Sequence, residues 1–540
     1  PDYEVAYVDG VRYLQVAIPC AAQVRAKPER PPRGNWIVTG GARGITAECA
    51  LELGQRFGVK LPLLGTSTLE RINPAWRDLD EAGLAALRSE TILRSRESNE
   101  KPNEAWERVH KQIEIDRNLR AFAQAGIEVC YHKCDVADRA ALTQVLEQIR
   151  REHGPIEGIL HGAGIERSCR LEKKRTEDVL ATFGSKILGA WNLMALTRND
   201  PIGHFIGFGS VSGRFGSYGQ VDYCMASDML CKLVSWYGNQ RPSCHAIGFH
   251  WHPWDEIGMA FRPETRSALQ NTNGLTFMPK REGLRHFLRE LYAGQADSEV
   301  LVTDRTYHNL FYPKNIDVLA EKYRTGKLVE FPTRKPRQVA SRHVLRMRPA
   351  PLSVQRANRP ASTGPAYILG DNPDALALGD LLLASGVSVQ FLPVCNDSES
   401  TIAHLEAAWK LQPARHLFLL TARDQEAGEF HTAEALRRRM QRGVYLPFQV
   451  TQRWFQLVSE LPFHEPATLV AVTSLGGDFG FGGSVTAPES GALSGLLKSV
   501  YVEDSRHQHT RFRVKVIDSP RDEPPADIAA AVCAEMISDT

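Results

Sequence analysis

From Trp36 to Asp518 the chain alternates short, strongly apolar segments with longer stretches of mixed polarity, and no other feature constrains its fold as much. Runs such as "NWIVTG" (35–40), "VKLPLLGTS" (59–67), "IEGILHGAG" (156–164), "HFIGFGS" (204–210) and "HAIGFHWHPW" (245–254) are apolar throughout. Such runs suit strands buried on both faces better than half-exposed ones. Amphipathic helical patterns separate them. Regular βα alternation of this kind predicts an α/β fold, a doubly wound parallel sheet with helices on both faces.

The alternation occurs twice. A chain of 540 residues exceeds what one core usually serves. A first unit is expected over 31–310, with a polar helical insertion at about 69–117 and a new helix from about Asn118. Residues 311–364 lose periodicity and gather Pro and Arg, so they read as a linker. A second, abbreviated unit follows over 365–540, from "AYILGD" through "TLVAVTSLGG" and "GALSGLLKSVYVE" to "FRVKVID". Ahead of everything, residues 1–30 hold two short strands around an Asp-Gly turn and a Pro/Arg linker; the hairpin has no core of its own. A start at Pro1 and an end in or near a helical pattern suit a piece of a longer polypeptide.

Charge argues against nucleic acid or an anionic membrane as partner, because 65 Lys and Arg face 63 Asp and Glu. The run "LRRRMQRG" (436–443) reads as a solvated helix face. No stretch approaches the roughly 20 apolar residues of a membrane span, and the N-terminus lacks the pattern of a signal peptide. Ten scattered cysteines suit reduced thiols and a cytoplasmic setting. "CYHKC" (130–134) and "HWH" (250–252) offer metal-ligand types without a second half at zinc-site spacing, so no metal is expected.

The loop "TGGARGIT" (39–46) lies between the first strand and its helix. Glycines there let the backbone approach a pyrophosphate, and the helix N-terminus offers unpaired N–H groups and partial positive charge. Thr39, Gly40, Gly41, Arg43, Gly44 and Ile45 are therefore candidate cofactor residues, with the Arg43 guanidinium at the mouth. The second unit begins "YILGDNPDA", without the second and third glycines, and no cofactor is expected there.

These motifs, taken in order, resemble the short-chain dehydrogenase/reductase superfamily over about Trp36 to Arg305, with Thr46 where the last loop glycine usually stands. By that resemblance Asp135 and Val136 lie on the adenine side, and His161, Gly162, Ala163 and Gly164 form the strand end beside the cofactor. Within the superfamily the chain is most similar to ketoreductase domains of multidomain polyketide and polyunsaturated fatty acid synthases. The usual Tyr-xxx-Lys is missing, since Ser227 stands four residues after Tyr223. In these ketoreductases the lysine lies upstream, in a segment like "SKILGAWNL", which nominates Lys186. "HWHPWDEIGMA" resembles their substrate-loop strand end, with His252 replacing a glycine. Residues 3–20 look like the closing strands of a preceding structural subdomain, and the second unit looks like such a subdomain with its tyrosine missing.

The resemblance implies a Rossmann-type reductase that moves hydride from NADPH to a β-keto group. The acyl chain would be tethered by phosphopantetheine to an acyl carrier protein, among other synthase domains. Ser210 and Tyr223 would aim donors at the oxygen on which charge grows, and Tyr223 would supply the proton. Lys186 is expected to lower the phenol from its ordinary value near 10. Ser227 would take part in a proton relay where these ketoreductases commonly place Asn. The second strand ends "LLGTS", with no acid for a free ribose 2′-hydroxyl; Arg43, Thr66 and Ser67 suit a 2′-phosphate, favouring NADPH. Two other readings stand beside this one: a non-catalytic scaffold within a synthase, and a free-standing dehydrogenase for a small alcohol or ketone.

Overall fold

The structure is a computed structural model that describes residues 2–69, 72–259, 266, 276–293, 297–304, 339–352, 364–423, 430, 432–461, 466–483, 485–505 and 512–537. Fifteen strands form one continuous sheet. Its first unit uses β3 (Asn35–Thr39), β4 (Leu61–Gly65), β5 (Val129–Lys133), β6 (Ile156–His161), β7 (His204–Ser210), β8 (His245–Trp251) and β9 (Glu299–Thr303). All seven are parallel. Strands β3, β7 and β9 are buried along their whole length, so the apolar runs lack alternation for the expected reason.

Helices α1 (Gly44–Phe57), α2 (Glu81–Glu97), α3 (Pro102–Gln124), α4 (Arg139–His153), α5 (Thr176–Leu196), α6 (Val221–Gln240) and α7 (Lys280–Tyr292) accompany this unit. The insertion is helical, as its pattern implies. Its end differs from the expected one: no new helix starts at Asn118, because α3 begins with Pro102 at its first position and continues unbroken.

The second unit contains β11 (Ala366–Leu369), β12 (Val389–Leu392), β13 (His416–Leu419), β14 (Ala467–Thr473) and β15 (Phe512–Asp518). Its principal helices are α8 (Pro373–Ala384), α9 (Ser398–Leu411), α10 (Leu446–Ser459), α11 (Ser490–Ser505) and α12 (Pro525–Ile537).

The N-terminal hairpin corrects the expectation that it closes a subdomain lying ahead of this chain. β1 (Glu4–Val8) pairs in parallel with β15, Glu4 opposite Val516, and so closes the second unit of its own chain. Full burial of Val5 and Ala6 in that register is the gain. β2 (Val11–Pro19) then runs antiparallel to β1 and to β10 (Ser341–Pro349), which pairs with β9. The whole sheet therefore runs β12-β11-β13-β14-β15-β1-β2-β10-β9-β8-β7-β6-β3-β4-β5. Part of the expected linker is strand. "HVLRMR" buries Val344 and Leu345 within a segment whose Pro/Arg composition masks it, while 305–338 and 353–363 lie outside the described residues.

α6 and α11 are the principal helix contact between the units. Gly495 makes it possible: a Cβ there would come 2.7 Å from the Cys224 carbonyl oxygen. α6 is consequently buried on nearly every side, against the sheet and against α11. A second correction concerns α5. At 21 residues it is long and apolar enough to cross a membrane, contrary to the sequence expectation, yet 61% of that apolar window is buried inside the fold and Lys186 lies within it.

Candidate active site

Order in the first sheet reverses between β3 and β6, and a ligand crevice forms where such a sheet reverses. Thr39 closes β3 there. Its Oγ1 lies 2.8 Å from His161 Nδ1 and accepts the Ala163 N–H at 3.2 Å. His161 Nε2 is 2.9 Å from the Lys186 carbonyl oxygen. A carbonyl only accepts, so Nε2 carries the proton and Thr39 donates to Nδ1. Burial holds the imidazole down to about 4, which keeps it neutral and this tautomer fixed. The network locks the cofactor-loop strand, the β6 end and the backbone of Lys186 together.

Gly40 has φ +69°, and a Cβ there would stand 3.0 Å from the Gly162 carbonyl oxygen. Gly44, φ +58°, opens α1 and faces Gly258 with Ile45 alongside. Gly41 lies against Val38, and Gly162 lies against the Thr46 side chain, so Thr46 is accommodated at the usual glycine position. A glycine cradle, a helix N-terminus and the β3–β6 crevice together fit a dinucleotide.

Farther along the sheet edge Thr66 is exposed, and the Ser67 carbonyl accepts the Tyr131 hydroxyl at 2.8 Å. Asp135 is exposed and caps its own turn through the Ala137 N–H. Val136 is buried, its carbonyl held by Asn192. The first two follow β4 and the last two follow β5, at the carboxyl ends of neighbouring parallel strands.

Arg43, expected to place its guanidinium at the mouth, is ion-paired with the inserted helix. Its Nε donates to Glu114 of α3 at 2.7 Å, and the other Glu114 oxygen accepts the Gly44 N–H at 2.9 Å. Asn118 of the same helix donates to the Ala42 carbonyl at 2.9 Å. The insertion therefore packs on the cofactor loop. Glu114 and Asn118 belong to no motif, so no local pattern marks either of them.

Lys186, Ser210 and Tyr223 come together. Lys186 lies in a π turn of α5 (Gly184–Leu188), its Nζ donating to the Phe208 carbonyl at 2.9 Å and standing 4.9 Å from the Tyr223 ring centre. Gly164 makes room, since a Cβ there would lie 3.1 Å from Lys186 Cε. Burial brings this lysine down to about 8. Ser210 ends β7, and its hydroxyl accepts the Ser212 N–H at 3.1 Å.

Tyr223 corrects an expectation. Its phenol is raised well above 10, first by burial and then by the charge of Glu166; the Ser210 and Ser227 hydroxyls beside it pull weakly the other way. Lys186 does not lower it, because the ammonium faces the ring and the Phe208 carbonyl. The phenol is thus a protonated donor at neutral pH.

Glu503 is a residue that sequence reasoning missed. From α11 of the second unit its carboxylate accepts the Leu171 N–H at 3.0 Å and the Gly219 N–H at 3.1 Å. Cys169 N–H donates to the Gly219 carbonyl at 2.7 Å, so one carboxylate helps join the loop before α6 to the loop after β6. The metal-ligand types singled out in the sequence do not converge on this site. Among the described residues Cys231, His250 and Glu299 lie within 4.8 Å of one another, all buried. Lys232 donates to both Glu299 oxygens, at 2.8 and 2.9 Å, and the Cys231 thiol is held well up by burial. That group is a buried ion-pair cluster with poor metal-binding chemistry.

Residues 34–256 match the KR domain family. A component of the polyunsaturated fatty acid synthase of Thraustochytrium sp. is 28% identical over 277 residues, 49% of this chain and 10% of that protein. Polyketide synthase PksL of Bacillus subtilis is 29% identical over 196 residues, 35% of this chain and 4% of that protein. The chain thus spans a tenth or less of the length of these relatives. Among solved structures, the NADP-bound N-domain of a bacterial malonyl-CoA reductase aligns over 94% of this chain and 95% of its own, with TM-score 0.59 and 12% identity, which shows a shared two-unit fold. A ketoreductase domain from the bacillaene assembly line covers 57% of this chain and 65% of its own, at 24% identity and TM-score 0.44. Residues 34–256 are thus similar to KR domains, within a chain whose two units share a Rossmann-type α/β fold.

Proposed function

We propose that the first unit is an NADPH-dependent β-ketoacyl reductase of a multidomain synthase. Its substrate is an acyl chain carried on the phosphopantetheine of an acyl carrier protein, and it works in the cytoplasm beside the other synthase domains. The observation that carries this reading is the convergence of Tyr223, Ser210, Ser227 and Lys186 next to a crevice built from a glycine cradle. Residues 39–45, 66–67, 135–136 and 161–164 would hold the cofactor, and the two small hydroxyls beyond β4 suit a 2′-phosphate.

A bound reduced nicotinamide would supply the hydride. The protein's own part is electrostatic and protonic. As charge grows on the keto oxygen, Ser210 and Tyr223 present hydroxyls to it, and Tyr223, fully protonated, gives up its proton. The Lys186 ammonium stands 4.9 Å from the ring centre of the tyrosine that gives up this proton, held there by the Phe208 carbonyl. Ser227, buried, offers a second hydroxyl beside Tyr223 for proton return.

The test is cofactor oxidation with a β-ketoacyl thioester, then with the carrier-bound chain, for the parent and for Tyr223→Phe. Turnover that falls by about 10²- to 10⁴-fold in the variant is expected. A folded parent that turns over neither substrate with either nicotinamide cofactor would move the first unit to the scaffold reading.

A further inference from the structure

We infer that Glu114, on the inserted helix α3, sets how strongly the cofactor loop distinguishes a 2′-phosphate from a 2′-hydroxyl. The inference rests on the reading of residues 39–45 as a dinucleotide loop. Glu114 meets that loop with both oxygens, one on Arg43 Nε at 2.7 Å and one on the N–H of Gly44 at 2.9 Å. Gly44 is the first residue of α1, so the carboxylate already satisfies a donor at the helix end where anions are drawn.

Glu114 is charged at neutral pH. Burial pushes its carboxyl up, but Arg43 and the Gly44 N–H outweigh burial and hold it below the ordinary range. The pair is shielded unequally, with 13% of the Glu114 side chain and 34% of Arg43 exposed. Arg43 is gripped through Nε alone, and its two terminal nitrogens have no other partner among the described residues. Those nitrogens remain available to an anion at the crevice mouth.

The consequence follows from charge. A 2′-phosphate approaching Arg43 gains the guanidinium and meets the fixed negative charge of Glu114 directly behind it. A 2′-hydroxyl feels neither strongly. Glu114 therefore weakens NADPH binding relative to NADH, while its two contacts hold Arg43 and the loop in place. The insertion is a tuning element for the cofactor site.

Direct calorimetric titration of the whole chain with NADPH and with NADH tests this without turnover. Glu114→Gln is expected to tighten NADPH by about tenfold, the scale of one partly screened charge contact, and to leave NADH within about twofold. Glu114→Ala, read the same way, serves if the glutamine variant does not fold. Asn118→Ala removes an uncharged loop contact and is expected to move both cofactors together. An unchanged NADPH-to-NADH ratio in both Glu114 variants overturns the inference. A parent that prefers NADH, with the ratio still moved by Glu114→Gln, overturns the NADPH reading and leaves the role of Glu114 standing.

Discussion

Both units bend a helix through a five-residue π turn ahead of the strand that precedes the long helix, and they use the bend differently. In the first, Gly184–Leu188 presents Lys186 to Tyr223. In the second, Gln441–Tyr445 has Gly443 at the matching third position, and a Cβ on it would lie 2.8 Å from Glu489 Cγ. Glu489 is occupied by Arg439, at 2.7 and 3.0 Å. Ser474 follows β14 as Ser210 ends β7, but Ala487 and Pro488 stand where a tyrosine would be needed.

The nucleotide-loop positions diverge the same way. α8 starts with Pro373, which has no N–H to offer, and Asn372 caps the Ala375 N–H at 3.0 Å. Arg423 donates to Asp374 at 2.6 Å and to Ser519 Oγ at 2.9 Å. The lesson is that one fold can place different polar groups at matching positions. The second unit holds internal ion pairs at these positions and keeps the packing surface that its neighbour needs.

Four changes would break or sharpen this contrast. The largest is a pair of substitutions at comparable places. Tyr223→Phe is expected to cost about 10³-fold in kcat with cofactor affinity unchanged, whereas Ser474→Ala should leave kcat within about twofold. Next is the seam. Lys498 of α11 holds Asp228 of α6 at 2.8 Å and Glu4 of β1 at 3.1 Å, all buried. Lys498→Met breaks that network and should cost about 3 kcal/mol in denaturant unfolding, both units melting in one transition because they share one sheet.

A smaller effect is expected at Glu503. Glu503→Ala frees the Leu171 and Gly219 loops and should lower kcat by about tenfold at unchanged cofactor Kd, with Glu503→Gln restoring part of the loss. The smallest is a pH effect. Lys186 is held down to about 8, so it is charged below that pH and neutral above it. Turnover should therefore decline as pH rises through about 8, while Tyr223, raised by burial, stays protonated across the same range. A rate that climbs with pH between 7 and 9 would contradict that assignment.

What the sequence reveals depends on how local the signal is. The parallel sheet follows from apolar runs of a few residues, and the cofactor loop from glycines within one turn. Ser210, Tyr223 and Lys186 belong to an ordered series that survives without knowledge of contacts. Partners set by distant pairing are another matter. β1 joins β15 across almost the whole chain, and β10 is hidden by its Arg and Pro content. Glu114 and Glu503 are ordinary glutamates on helices until folding brings each to two backbone or side-chain donors. The Tyr223 value went against expectation because proximity of a lysine in sequence order says nothing of where its ammonium points.

The measurement that tests the central contrast most directly is the stoichiometry of NADPH binding to the whole chain by calorimetry, repeated for Gly40→Val. One site per chain, abolished by a side chain placed in the first crevice, is the result this account predicts. Two sites per chain, or one site that survives Gly40→Val, would mean that the second unit holds cofactor and would contradict it.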